Sequence, residues 1–236
     1  MHKFDLHNRT AVITGGAQGF GFDIAKRFLN SGANVIIWDI DENELIKASK
    51  KLNNPNLQYK VVDVSNYKNV KDAVEEITKF KNIDILINNA GSLINKPFAE
   101  TTDEEFESVY RVNVFSVASL MRHFLQIINP KGHVVNISSM GGIQGSSKFP
   151  GLSAYSSSKG ALITLTEMLA EEYSKTGPSF NALALGAVQT EMLAEAFPGY
   201  EAPLTAEQMG SYILDFALNG NQFYNGKVLP VSSSTP

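Results

Sequence analysis

Short apolar, β-branched runs recur along the chain at residues 10–14, 33–38, 57–62, 83–87, 133–137, 180–185 and 227–231. Each is too short for a stable helix, and most end at Gly, Asn, Asp or Ser, which predicts seven buried strands. Between them lie segments of helical length at 18–31, 41–52, 67–81, 102–129, 154–175 and 205–218. Strict alternation of strand and helix implies a parallel sheet, because parallel neighbours need crossovers and right-handed crossovers cover both faces. No Pro/Ser-rich linker, shift of composition or internal repeat divides the 236 residues, so the pattern predicts one doubly wound α/β domain over 1–236.

The longest helical segment starts at Thr102, a good N-cap, with Glu105 three positions on as a capping box requires. Its apolar stripe runs Phe106, Val109, Val117, Leu120 and Phe124, and Asn113 is the single polar interruption. A buried amide must find hydrogen-bond partners or cost about 1–3 kcal/mol, so taken alone Asn113 reads as a satisfied core asparagine.

Composition narrows the partners. Hydrophobic residues make up 43% of the chain and charged ones 19%, which allows roughly three quarters of the unfolded surface to be buried. Lys and Arg total 20 against 24 Asp and Glu, and the formal charge of -4 offers nucleic acid or anionic lipid no general attraction. The absence of Cys excludes disulfides, thiolate metal sites and a cysteine nucleophile, and it suits a reducing cytoplasm. The first ten residues, MHKFDLHNRT, lack an apolar core, and no apolar stretch approaches the roughly 18 residues that span a bilayer. The expectation is a cytoplasmic protein with neither a membrane segment nor an export signal.

Candidate chemistry gathers where the strands end. The first strand runs into Thr14-Gly15-Gly16-Ala17-Gln18-Gly19-Phe20-Gly21 and then a helix. A turn this rich in Gly lets backbone N–H groups approach a pyrophosphate, and the helix N-terminus adds about half a positive charge. Asp39 closes the second strand, about where a dinucleotide fold places the carboxylate that accepts from ribose hydroxyls, although an Asp there can also simply start the next helix. Neither Trp38 nor Ile40 supplies a cation, so a 2′-phosphate would be repelled and NAD(H) is predicted over NADP(H). Asp63-Val64 and Asn88-Asn89-Ala90-Gly91 follow the third and fourth strands. Asp63 could accept from an adenine amino group, and Ala90 and Gly91 would let backbone lie close to a cofactor; each could equally be a plain loop residue.

Tyr155 and Lys159 stand four apart at the start of a helical segment, so their side chains share one face. A phenol of pKa near 10 is only about 0.1% ionised at neutral pH, and lowering it by about two units takes roughly 2.7 kcal/mol, which a nearby ammonium favours. Such a tyrosine can exchange a proton with an alcohol as hydride leaves. Ser138 and Ser139 end the fifth strand, where a hydroxyl could hydrogen-bond a substrate oxygen or merely lead the turn into Gly141-Gly142. Serine hydrolysis fits poorly, since no G-x-S-x-G surrounds either serine and His2, His7, His123 and His133 include no evident base.

In this order, TGGAQGFG, Asp39, Asp63-Val64, NNAG at 88–91, Asn113, ISS at 137–139, YSSSK at 155–159 and the stretch from Asn181 to Thr190 resemble the short-chain dehydrogenase/reductase family over nearly the whole chain. The resemblance implies a Rossmann-type domain with a seven-stranded parallel sheet. It implies Tyr155 as the acid/base, Lys159 as the group that lowers its pKa and holds the nicotinamide ribose, and Ser139 as the residue that orients the substrate oxygen. Asn113 would position a water linking Lys159 to solvent. Cofactor contacts are implied at Gly15, Gln18, Gly19, Phe20, Gly21, Asp39, Asp63, Val64, Asn89, Ala90 and Gly91, with Val188 and Thr190 on the carboxamide. Substrate contacts are expected at Ser139, Gln144 and Tyr155, and no metal is expected.

The chain also departs from the family pattern. Leu185-Gly186 stands where Pro-Gly is usual, Ser147-Lys148-Phe149-Pro150 lengthens the path from Ser139 to Tyr155, and Val231-Ser232-Ser233-Ser234 replaces a Gly-Gly ending. Residues 190–204, with Met192, Leu193, Phe197 and Tyr200, read as a substrate lid. The family usually forms dimers or tetramers through its two long helices, so a homo-oligomer is expected. The leading function is hydride transfer between NAD(H) and a secondary alcohol or ketone. An NADPH-dependent 3-oxoacyl thioester reductase is the alternative, opposed by Asp39. A non-catalytic dinucleotide-binding regulator would need neither Ser139 nor Tyr155.

Overall fold

The computed structural model describes residues 6–78 and 83–233. Strands and helices alternate as β1 (Thr10–Thr14), α1 (Gly19–Asn30), β2 (Asn34–Asp39), α2 (Glu42–Leu52), β3 (Leu57–Val61), α3 (Tyr67–Ile77) and β4 (Ile83–Asn88). The chain continues through α4 (Asp103–Tyr110), α5 (Ser116–Phe124), β5 (Ile128–Ser139), α6 (Ser153–Glu172) and β6 (Ser179–Leu185). It closes with β7 (Val188–Gln189), α7 (Glu191–Ala196), β8 (Leu204–Thr205), α8 (Ala206–Asn219) and β9 (Lys227–Val231). Seven strands form one parallel sheet in the order β3-β2-β1-β4-β5-β6-β9. This is the Rossmann-type sheet that the alternation predicts.

Both faces of the sheet are covered, which is why its strands read as continuous apolar runs. On one face Phe28 of α1, Leu45 of α2 and Ile213 of α8 pack on Ile13 and Ile37; on the other Val70 of α3, Leu120 of α5 and Leu162 of α6 pack on Val12, Trp38 and Leu86. The strand order reverses between β1 and β4, so the loops leaving them diverge and open a crevice at the carboxyl edge, where ligands of open α/β sheets sit. No helix among the described residues is long and apolar enough to cross a membrane.

The segment expected as one helix over 102–129 is instead three pieces. The Thr102–Glu105 capping box starts α4 as anticipated. A single π-helical turn over Arg111–Phe115 then interrupts the helix, α5 ends at Phe124, and β5 begins at Ile128, paired with Ile83. Pro130 explains the early stop: it cannot continue a helix, and it pushes Asn129 before it toward extended backbone. Residues 79–81 of the expected third helix lie outside the described residues. The expected lid at 190–204 contains α7 and is bracketed by the two-residue ladder Val188↔Leu204, Gln189↔Thr205.

Candidate active site

The turn after β1 is stitched to the end of β4. The Thr14 hydroxyl accepts from the Asn89 and Ala90 N–H groups, each at 3.1 Å, while the Asn89 amide donates to the Thr14 and Gly15 carbonyls at 3.0 and 2.8 Å. Gly15 sits at φ +62°, and a Cβ on Gly21 would lie 2.1 Å from the Gly15 carbonyl oxygen, so the turn closes only on glycine. No side chain caps α1 and no acidic residue occupies its first turn, whereas Asp41, Asn66, Thr102, Thr190 and Thr205 cap α2, α3, α4, α7 and α8. Gln18, Gly19, Phe20 and Gly21 instead line a cleft, which leaves first-turn N–H donors for an external acceptor. A pyrophosphate fits that chemistry.

The cleft, of about 430 Å³, crosses the carboxyl edge of the sheet from Asp63 and Val64 through Asp39 and Gly15 to Ala90, Gly91, Tyr155 and Lys159. Asp39 faces it while accepting from the Ala17 N–H at 3.1 Å and the Asp41 N–H at 3.3 Å. A carboxylate has about four lone-pair sites, so acceptor capacity for ribose hydroxyls is left. Asp63 accepts from the Ser65 N–H and hydroxyl at 2.9 and 2.7 Å. Among the described residues of the cleft wall Lys159 is the only cation, against Asp39, Asp63 and Glu191.

At the far end α6 presents Tyr155 and Lys159. Ser139 lies beside the Tyr155 hydroxyl and draws its pKa down, and the Gly141 N–H donates to Ser139 Oγ at 3.2 Å, which fixes the serine. Lys159 Nζ donates to the Ile137 carbonyl at 2.8 Å and lies 5.7 Å from the Tyr155 ring centre. Burial pushes Tyr155 above the ordinary phenol range against the pull of Ser139; burial lowers Lys159 to about 8. The expectation that Lys159 makes the phenol acidic is therefore corrected for the protein by itself: desolvation is the larger influence, and the ammonium spends its short contact on a carbonyl. Tyr155 nonetheless keeps part of its surface open to the cleft although its surroundings are densely packed.

Asn113 is buried inside the π-helical turn. Its Oδ1 accepts from the Ser92 N–H at 2.8 Å, and its Nδ2 donates to the Ser92 carbonyl and to Ser158 Oγ, both at 2.9 Å. Both amide hydrogens are used, so this side chain could meet the expected water only at Oδ1, which keeps one acceptor position. A family model for short chain dehydrogenases matches residues 9–201.

The chain belongs to that family.

Curated relatives agree in fold and differ in name. The chain is 31% identical over 242 residues to a 3-oxoacyl-[acyl-carrier-protein] reductase of Chlamydia muridarum, covering 96% of each. It is 37% identical over 198 residues to an L-2,3-butanediol dehydrogenase of Corynebacterium glutamicum, covering 78% of this chain and 74% of the relative. A short chain dehydrogenase from Shigella flexneri, solved with NADP, superposes with a TM-score of 0.87 at 24% identity over 97% of this chain and 98% of that one. This chain is therefore an oxidoreductase of a family that binds a nicotinamide dinucleotide.

The cleft wall brings together most of the expected cofactor residues, including Thr190, whose hydroxyl also caps α7 by accepting from the Leu193 N–H at 3.2 Å. Four expected residues are not in the cleft wall. Asn113 lies buried behind it, Val188 is buried in the β7–β8 ladder, Gln144 is exposed, and Ser139 lies beside Tyr155. In the long Ser139–Tyr155 loop, Ser146 Oγ and Lys148 Nζ fold back on the Ile143 carbonyl at 2.9 and 2.6 Å. The sequence reading missed Ile40 and Ser92 in the cleft wall and Ser158 beneath it, and it placed Glu191 and Met192 in the lid without giving them a cleft contact. Exposed Ile40 directly after Asp39 was a legible signal; Ser92 and Ser158 carry none, because their role exists only across the fold.

Proposed function

We propose that the chain is an NAD-dependent oxidoreductase that moves a hydride between nicotinamide C4 and the carbon of a secondary alcohol or ketone. The observation that carries this reading is one cleft joining the uncapped glycine turn to Tyr155 and Lys159, with Ser139 beside the tyrosine. A bound dinucleotide supplies the carbon that gives or accepts hydride, and oxidised nicotinamide adds a positive charge near the phenol. The remaining work falls to side chains. The Tyr155 hydroxyl donates its proton to the substrate oxygen during reduction and takes it back during oxidation. Ser139 holds that oxygen beside Tyr155, and Lys159 supplies an ammonium that opposes the upward pull of burial on the phenol. The first turn of α1 binds the pyrophosphate, and Gly15, Ala90 and Gly91 keep backbone low against the cofactor.

NAD is favoured over NADP because Asp39 stands at the ribose end and no Lys or Arg besides Lys159 lines the described cleft. Residues 190–204 act as the lid of one catalytic domain spanning 1–236, and the Asn95 amide ties α7 to the opposite rim by donating to the Ala196 carbonyl at 2.7 Å. A homo-oligomer is supported by the outward stack of Phe106, Tyr110 and Phe115 and by exposed Met168 on α6. The likeness to a 3-oxoacyl reductase favours a second reading, reduction of a 3-oxoacyl thioester with NADPH.

Following NADH and NADPH absorbance with acetoin, diacetyl and an acetoacetyl thioester separates the two. Turnover of the small ketones with NADH is expected; a strong preference for NADPH would overturn the role of Asp39. Tyr155→Phe should lower kcat about 100-fold or more while leaving NADH affinity within a few-fold. Full activity in that variant would remove the acid/base assignment.

A further inference from the structure

We infer that Ser158 is a positioning residue, whose hydroxyl locks the Asn113 amide and so holds the Ser92 segment in register with Tyr155 and Lys159. The inference rests on the proposed oxidoreductase reading. Ser158 is fully buried and lies outside the cleft wall, so it acts through its neighbours. Its hydroxyl donates to the Tyr155 carbonyl one turn back at 2.7 Å. That spends its one hydrogen and leaves its lone pairs for Asn113 Nδ2, at 2.9 Å. The first bond is local to α6; the second crosses from α6 to the π-helical turn.

Asn113 passes the constraint onward. Its other amide hydrogen and its oxygen clamp the Ser92 carbonyl and N–H at 2.9 and 2.8 Å. Ser92 follows Gly91, and both line the cleft. A Cβ placed on Gly91 would stand 3.5 Å from Asn113 Oδ1 and 3.6 Å from Lys159 Nζ, so the amide oxygen and the ammonium flank the same backbone position. Removing the Ser158 hydroxyl orphans one buried amide hydrogen. An Asn113 side chain that turns to satisfy it must loosen its grip on Ser92 and take a carbonyl dipole away from the side of Gly91 that Lys159 Nζ also flanks.

The test uses the full chain and compares Ser158→Ala with Ser158→Thr, which restores the hydroxyl. On a ketone that the parent reduces, Ser158→Ala should lower kcat about 10-fold, the scale set by an orphaned buried donor, with KM and NADH affinity within about twofold. Ser158→Thr should recover most of the loss. The inference is overturned if kcat of Ser158→Ala matches the parent, if KM and NADH affinity worsen as much as kcat, or if Ser158→Thr is no better than Ser158→Ala. Where either variant does not fold, Ser158→Cys keeps the size, weakens both hydrogen bonds and carries the same comparison with the same outcomes. If the parent binds NADH but reduces no ketone, the oxidoreductase reading fails before this comparison is reached.

Discussion

Lys159 is held against its own solvation, and Lys159→Met measures the cost. The side chain is 4% exposed, and burial lowers its pKa from 10.5 to about 8. At about 1.4 kcal/mol per unit, keeping the ammonium in the folded protein costs about 3 kcal/mol at neutral pH. Methionine removes that cost, fills nearly the same space, and gives up the hydrogen bond to Ile137, itself worth about 1 kcal/mol. Folding stability should therefore rise by about 2 kcal/mol, or roughly 4–8 °C in Tm for a chain of this size, as activity disappears. The sign depends on pH. Between about 8 and 10.5 the unfolded lysine binds a proton that the folded one has lost, so the parent gains stability as pH rises through that window. The advantage of methionine should shrink across it and end as a deficit of about 1 kcal/mol above 10.5, where only the lost hydrogen bond counts. Urea unfolding of both proteins from pH 7 to 10.5 reads the difference directly, since other groups titrate alike in the two. A methionine variant less stable than the parent at pH 7, or a difference that does not change with pH, would refute the buried-cation argument.

Gly21→Ala should cost about 3 kcal/mol of stability and abolish NADH binding, because its Cβ would meet the Gly15 carbonyl at 2.1 Å and the Asn89 amide at 2.6 Å; calorimetry on an intact, tightly binding variant would contradict the closed turn. His133 is buried and neutral, with one ring nitrogen on the Ala217 carbonyl at 3.0 Å, the other on the Asn181 amide at 2.9 Å, and a pKa lowered by burial to about 4. The unfolded state binds its proton between about 6.5 and 4, so stability should fall by about 3 kcal/mol as pH drops through that window, and His133→Gln should flatten this part of the pH–stability curve. Asp39→Asn keeps an acceptor for the Ala17 N–H and removes the charge; two charges about 5 Å apart at an effective dielectric of about 20 repel by roughly 3 kcal/mol. The ratio of kcat/KM for NADH over NADPH should fall about 100-fold, and an unchanged ratio would show that Asp39 does not read the ribose.

The sheet was legible because its five inner strands are buried largely on both faces and spell apolar runs, while the half-exposed edge strands β3 and β9 still fall into the strand–helix alternation. The π-helical turn was not. Its sequence, RVNVF, carries no Pro or Gly, and the interruption at Asn113 is explained only by Ser92 and Ser158, which approach it from distant parts of the chain. Asp39 could be placed from its position after a strand, whereas the fold of the 139–155 loop depends on Lys148 and Ser146 closing back on Ile143. The upward pull of burial on Tyr155 was not legible, because spacing along a helix reports that two groups share a face and says nothing of how much water they lose.

The helix that carries Tyr155 and Lys159 shows how such a site keeps its geometry. Its inner face mixes Leu162 and Ala170 with buried Ser158, Lys159 and Thr166, and apolar packing by itself would tolerate a small rotation or slide. Three hydrogen bonds, two from β5 and one from the π-helical turn, do not. Ser138 at the end of β5 donates to the Lys159 carbonyl at 2.9 Å, Asn136 within β5 donates to Thr166 Oγ at 2.8 Å, and Asn113 donates to Ser158 Oγ at 2.9 Å. Asn136 is itself held by the Asn88 amide at 2.7 Å from the neighbouring strand. Turning α6 far enough to lose one of these strands a buried polar group, at about 1–3 kcal/mol each, so the helix has one rotational setting that satisfies all three. The polar residues that weaken its apolar pattern are the ones that aim its two functional side chains.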